Sequence, residues 1–220
     1  MIIIIVRMMI PKCLLSLLTV VAATFQVAAT DLFHLKDFTI QPGDTAVVEI
    51  LLENEAEYTA FQTDLYLPEG LTIDRQSVTL TDRKASDHVI VTNVLVDGGM
   101  RFMSYSMGVN PYKGNSGALI TFKVIASESL TIPANMIQKR TRFTKVSGEE
   151  ITFDGSSCLV SCPGDVNTDG NTTIADVTAL INYLLGGDAS VVSVGFADVN
   201  NDNNVTITDV TTLINLLLKG

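Results

Sequence analysis

Tryptophan is absent from the 220 residues, and aromatic residues make up only 6% of them. Flat aromatic platforms that stack on sugar rings therefore have few candidates: Tyr58, Tyr66, Tyr105 and Tyr112. Basic residues are also scarce, 14 Lys and Arg against 24 Asp and Glu, for a formal charge of −10. Such a chain repels phosphate backbones and suits cations, which argues against nucleic acid as a partner. Histidine occurs only as His34 and His88. The "GNSG" stretch at 114–117 lacks the flanking pattern of a nucleophile elbow. No pair of carboxylates stands out for glycoside hydrolysis, which needs two opposed acids in a cleft. The composition points to a chain that is not an enzyme.

Cysteine is nearly absent too: Cys13, Cys158 and Cys162. A disulfide closing the short "CLVSC" loop is the first reading of the last two. With no His nearby they make a poor zinc site, and their spacing differs from C-x-x-C.

Long apolar runs are missing except at the start. Arg7 and Lys12 precede an apolar stretch, and Val27 and Ala29 fit the −3 and −1 positions of a cleavage site. Residues 1–29 thus read as a signal peptide, with initiation at Met8 or Met9 giving a tidier one. The charge-free run from Cys13 to Ala29 is at the short edge of a membrane span. The expectation is cleavage after Ala29, no span thereafter, and export to the medium or the cell surface.

What is abundant is alternation. "DLFHLKDFTI", "TAVVEILLEN", "FQTDLYLP", "HVIVTNVLV", "MRFMSYSM", "GALITFKVIA" and "EITFDG" repeat apolar residues with period two, separated by turns such as "QPGD", "LPEG" and "VDGG". This predicts an all-β sandwich or jelly roll over residues 30–155. A small, polar stretch at 156–163 reads as a linker.

Beyond it the period turns helical. "IADVTALINYLLGG" carries Val177, Leu180, Ile181, Leu184 and Leu185 as one stripe, and "ITDVTTLINLLLKG" carries Val210, Leu213, Ile214, Leu217 and Leu218. Gly186 and Gly220 stand where helix C-caps belong. Shifted by 33 residues, Asp165–Leu185 falls on Asp198–Leu218 with 15 of 21 positions identical, which marks an internal duplication.

Each copy reads as a ligand set. Asp165, Asn167, Asp169, Asn171 and Asp176 occupy positions 1, 3, 5, 7 and 12, and Asp198, Asn200, Asp202, Asn204 and Asp209 repeat them. This is the spacing of an EF-hand-like calcium loop, in which a tight turn aims oxygens inward and the acid at 12 closes the shell. Two Ca2+ ions are expected. Position 6, which needs a left-handed backbone, is Gly170 in one loop and Asn203 in the other. Position 12 is Asp rather than Glu, so the following helix must start closer. Two short helices bury little apolar area, so folding is expected to draw on the metal.

With Pro163 and Gly164 blocking a helix before the first loop, each repeat is a loop plus one helix. Residues 164–220 thereby resemble a type I dockerin. That resemblance implies a small, all-α, calcium-dependent module that docks onto a cohesin domain. Its partner-binding residues would be Ile174, Ala175, Ile181 and Asn182 in the first repeat and Ile207, Thr208, Ile214 and Asn215 in the second. "FTIQPGDTAVVEILLENEAEYTAFQTDLYLPEGL" and "GNSGALITFKVIA" resemble cohesin or carbohydrate-binding-module jelly rolls. The implied partner is a cohesin domain of another protein or of another copy of this chain, with a polysaccharide as the alternative.

Overall fold

A computed structural model describes residues 31–200, 202 and 204–219; the expected signal peptide, Asn203 and Gly220 lie outside them. The alternating segments form a two-sheet sandwich. One sheet has the order β1 (Leu32–Leu35), β3 (Thr45–Glu53), β8 (Ala118–Ala126), β5 (Leu71–Leu80). The other runs β2 (Phe38–Thr39), β11 (Ser156–Ser161), β9 (Ala134–Lys145), β4 (Tyr58–Tyr66), β7 (Met100–Ser106), β6 (His88–Val94), with β10 (Glu150–Phe153) paired to β9. All pairs are antiparallel except β2 with β11.

The alternation is realised where it was read. In β3, Val48, Ile50 and Leu52 are buried while their neighbours are not. They meet an aromatic cluster in which Phe33 and Phe143 sit edge to face at 4.9 Å, with Phe61 5.4 Å from Phe143. Phe102 of one sheet meets Phe122 of the other at 5.3 Å. Such aromatic pairs add about 1 kcal/mol each beyond their buried area.

Two expectations are corrected. The stretch read as a linker is mostly strand β11, with Cys158, Val160 and Ser161 buried. Small polar residues hid it, yet the Cys158 and Val160 side chains point inward while Ser157 and Leu159 do not. The predicted disulfide is also absent: Cys158 and Cys162 are free. Cys158 lies within extended backbone that carries Cys162 roughly 13 Å further along, well past the Cα separation of about 7 Å that a disulfide tolerates. The helices lie where the period was read: α1 (Ile174–Leu184) and α3 (Ile207–Leu217), with the short α2 (Val194–Ala197) between them. Their apolar stripes split. Val177, Leu180, Val210 and Leu213 form a small core with Val166, Val192 and Ala197, whereas Ile181, Leu185, Ile214 and Leu218 face outward. Among the described residues no helix is long and apolar enough to cross a membrane.

Candidate metal loops and docking surface

The first loop begins at Asp165, a three-residue turn after β11 ends at Ser161. The Asp165 carboxylate accepts the N–H groups of Asp169 and Gly170, both at 2.9 Å. Asn167 Oδ1 accepts the Asp169 N–H at 3.0 Å, and Asp169 Oδ1 accepts that of Asn171 at 2.9 Å. Asp176 closes the loop from the helix: its Oδ1 takes the Asn167 N–H at 3.0 Å and its Oδ2 the Thr173 N–H at 2.8 Å. Gly170 has φ +88°, the left-handed turn that position 6 demands.

The second loop repeats the pattern atom for atom where it is described. Asp198 and Asn200 accept the Asp202 N–H at 3.0 and 2.9 Å, and Asp202 accepts the Asn204 N–H at 2.8 Å. Asp209 Oδ1 takes the Asn200 N–H at 3.2 Å and its Oδ2 that of Thr206 at 2.8 Å. Duplicated sequence has produced duplicated geometry.

Each Asp at position 12 has a second role that the sequence reading passed over. Thr173 and Thr206 are N-caps, and Asp176 and Asp209 complete capping boxes with them. The signal was present as T-x-x-D ahead of each apolar run. The shorter Asp side chain fits because the acid lies in the helix's own first turn.

The donor chemistry fits calcium. Asp165, Asp176 and Asp209 are fully buried, and none of the ion pairs among the described residues involves them. Buried carboxylates without a basic partner carry a large desolvation cost that a cation offsets. Each loop offers only oxygen donors, three carboxylates and an Asn side chain, the hard donors calcium prefers. Among the described residues no three His, Cys, Asp or Glu side chains stand close enough together to hold an ion as they are, so an ion would draw the carboxylates of a loop inward. The Asn167 side-chain amide, then the Asn171 N–H, hold the Asp169 carboxyl below its ordinary range.

The eight residues expected at a partner surface are all exposed: Ile174, Ala175, Ile181 and Asn182 on α1, and Ile207, Thr208, Ile214 and Asn215 on α3. The apolar members match between repeats, with Ile174 and Ile207 at 71% and 67%, and Ile181 and Ile214 at 37% and 40%. Leu185 and Leu218, both at 80%, extend each stripe by one turn. The sequence marks these two leucines only as part of an apolar stripe, because a helical period does not say which neighbour covers it. Asn215 also lines a cleft of about 890 Å3 between α2, α3 and the segments 36–39 and 46–49 of the sandwich.

The candidate sugar platforms fare differently. Tyr58 and Tyr112 are core residues, at 2% and 4% exposure, and the Tyr66 ring lies beneath Lys139 and Arg140. Tyr105 alone of the four is exposed.

No curated protein matches the chain in sequence. Solved structures similar to it include a non-cellulosomal cohesin from the archaeon Archaeoglobus fulgidus, at 11% identity and a TM-score of 0.47, covering 60% of this chain and 91% of that one. A type I cohesin–dockerin complex from Clostridium thermocellum gives 13% identity and a TM-score of 0.48, covering 60% and 99%. A type II cohesin domain from the cellulosome of Acetivibrio cellulolyticus gives 11% and 0.46, covering 60% and 95%. Dockerin type I domains bind calcium. It is residues 163–218, the duplicated loop-and-helix segment behind the β-sandwich, that match the Dockerin type I domain.

Proposed function

We propose that this is an exported, non-catalytic module protein whose C-terminal segment folds around two calcium ions and docks onto a cohesin domain. One ion is held by Asp165, Asn167, Asp169, the Asn171 carbonyl and Asp176. The other is held by Asp198, Asn200, Asp202, the Asn204 carbonyl and Asp209. The sandwich serves as a cohesin-like scaffold or adhesion domain, so the partner is a cohesin domain of another protein or of another copy of this chain.

The observation that carries this reading is the pair of outward apolar stripes at equivalent positions of the duplicated helices. A module with so small a core gains nothing in stability from leaving six large apolar side chains in water. Exposed apolar patches of that kind mark interaction sites. Isoleucine at positions where hydroxyls serve other dockerins points to a contact dominated by apolar burial.

The test immobilises the full chain and offers purified type I cohesin domains with calcium or with chelator. Capture in calcium that chelator abolishes, and that Ile181→Asp with Ile214→Asp also abolishes, supports the reading. Capture indifferent to calcium and to both substitutions overturns it. Sedimentation of the full chain alone separates the two sources of partner: calcium-dependent growth in mass signals a second copy.

A further inference from the structure

The first loop is joined to the sandwich by more than the chain. Ser161, fully buried at the end of β11, donates its hydroxyl to the Asp165 carboxylate. The Ser161 carbonyl is itself held by the Ile40 N–H at 2.9 Å, just past β2. Cys162 donates its thiol to the Gly170 carbonyl at 3.2 Å. Gly170 rests on the turn before β9, where a Cβ would stand 2.8 Å from both the Ile132 carbonyl oxygen and Pro133 Cδ. The loop's far side is tied in as well: the Val166 carbonyl accepts the Ser193 N–H at 2.9 Å, and α2, which follows Ser193, lies against β2. Phe196 of α2 is buried yet belongs to neither the sandwich core nor the small helical core.

Asp165 is the centre of these contacts. It is position 1 of the ligand set and at the same time the acceptor for a sandwich side chain and for the Gly170 amide that seats on the sandwich. We infer that calcium in the first loop is coupled to the sandwich itself: filling the loop fixes residues 161–170 against β2, β11 and the turn at 132–133, and emptying it loosens that edge. The inference rests on the calcium reading of the first loop. Its physical basis is linkage, since a ligand that binds only the ordered loop stabilises every contact the ordered loop makes. The contacts traced above all run from the first loop, and the inference is confined to it.

Hydrogen exchange followed by mass spectrometry tests this on the full chain, with calcium and with chelator, and with ion binding measured by calorimetry in parallel. Chelation should speed exchange by ~10-fold or more in peptides covering β2, β11 and 132–137, while β6 and β7 stay protected. Asp165→Asn should reproduce that loss in the presence of calcium, and Asp209→Asn should not. Ser161→Ala leaves all the ligands in place, so it should still bind calcium while its β11 peptides respond less to chelation. If ions bind but chelation alters only residues 164–219, the coupling is overturned and the calcium reading stands. If calorimetry finds no ion bound, both fall together.

Discussion

Arg101 grips Asp64 with two hydrogen bonds, Nε to Oδ1 at 2.7 Å and Nη2 to Oδ2 at 2.8 Å, and the carboxylate between them is fully buried. Arg140 adds a third at 2.6 Å from β9, joining three neighbouring strands through one acid. Burial alone would raise the Asp64 carboxyl, but the bonds from Arg101 and then Arg140 outweigh it and hold it below the ordinary range.

A folded-state value below the unfolded one gives stability that is present above about pH 4 and is lost as pH falls through the lower, folded value. Urea midpoints measured from pH 6 to pH 2 should therefore decline across the acid limb. Asp64→Asn should lower the midpoint at neutral pH and flatten that limb. A variant that keeps the full acid slope would show that other carboxylates set it.

His88 supplies a second slope nearer neutrality. Its Nδ1 accepts the Ala85 N–H at 2.9 Å, its ring stacks on Tyr112 at 4.2 Å, and its Nε2 is buried with no hydrogen-bond partner among the described residues. Burial pushes its ionisation down, so the folded chain holds it neutral. The unfolded chain takes up the proton first, and stability present above about pH 6.5 is lost as pH falls below it. Thermal melts at pH 7.5 and 5.5 should differ for the natural chain, and His88→Phe, which keeps a ring against Tyr112, should shrink the difference.

The capping boxes are testable one at a time. Thr173→Ala and Thr206→Ala each remove a side-chain acceptor from a helix N-terminus, at a cost of about 1 kcal/mol. Calorimetric melts of the calcium-loaded chain should show similar losses for the two. A much larger loss for either would mean that the threonine also supports the acidic loop before its helix.

Inward and outward leucines should separate cleanly. Leu180→Ala, in the small helical core, should cost about 2–5 kcal/mol through the cavity it leaves. Leu185→Ala, on the exposed stripe, should shift stability by less than about 0.5 kcal/mol. Cohesin capture by the folded chain should show the opposite ranking, with Leu185→Ala the weaker binder.

The clearest parts of the sequence were those with an uninterrupted period. Val48, Ile50 and Leu52 announce β3, and the 33-residue echo announces two equal loops. Strand β9, the longest in the fold, escaped because Arg140 takes a left-handed backbone (φ +52°) and shifts the pairing with β4. The inward residues change parity there, from Met136 and Gln138 to Thr141 and Phe143, so no single alternation runs through the segment. Two of those four are polar, and their partners come from far along the chain: Gln138 donates to Thr63 at 2.9 Å, and Thr63 meets Thr141 at 2.8 Å. Strand β5 escaped for the same reason, with its pairing to β8 broken between Asp74 and Thr79. Loop geometry was legible because spacing within twelve residues fixes it. The stripe's direction was not, because it depends on what lies across from the helix.

The inward turn of Cys158 has a practical consequence. Burial, the largest cause, pushes its thiol up to about 12, so it carries almost no thiolate at neutral pH and resists alkylating reagents. Cys162, half-buried at the junction of the two regions, is the more accessible of the pair and offers a place for a spectroscopic label there. With no covalent bridge between them, the described residues need no oxidant or isomerase to reach this fold in a reducing medium, and thiol reductants should leave the melting temperature unchanged.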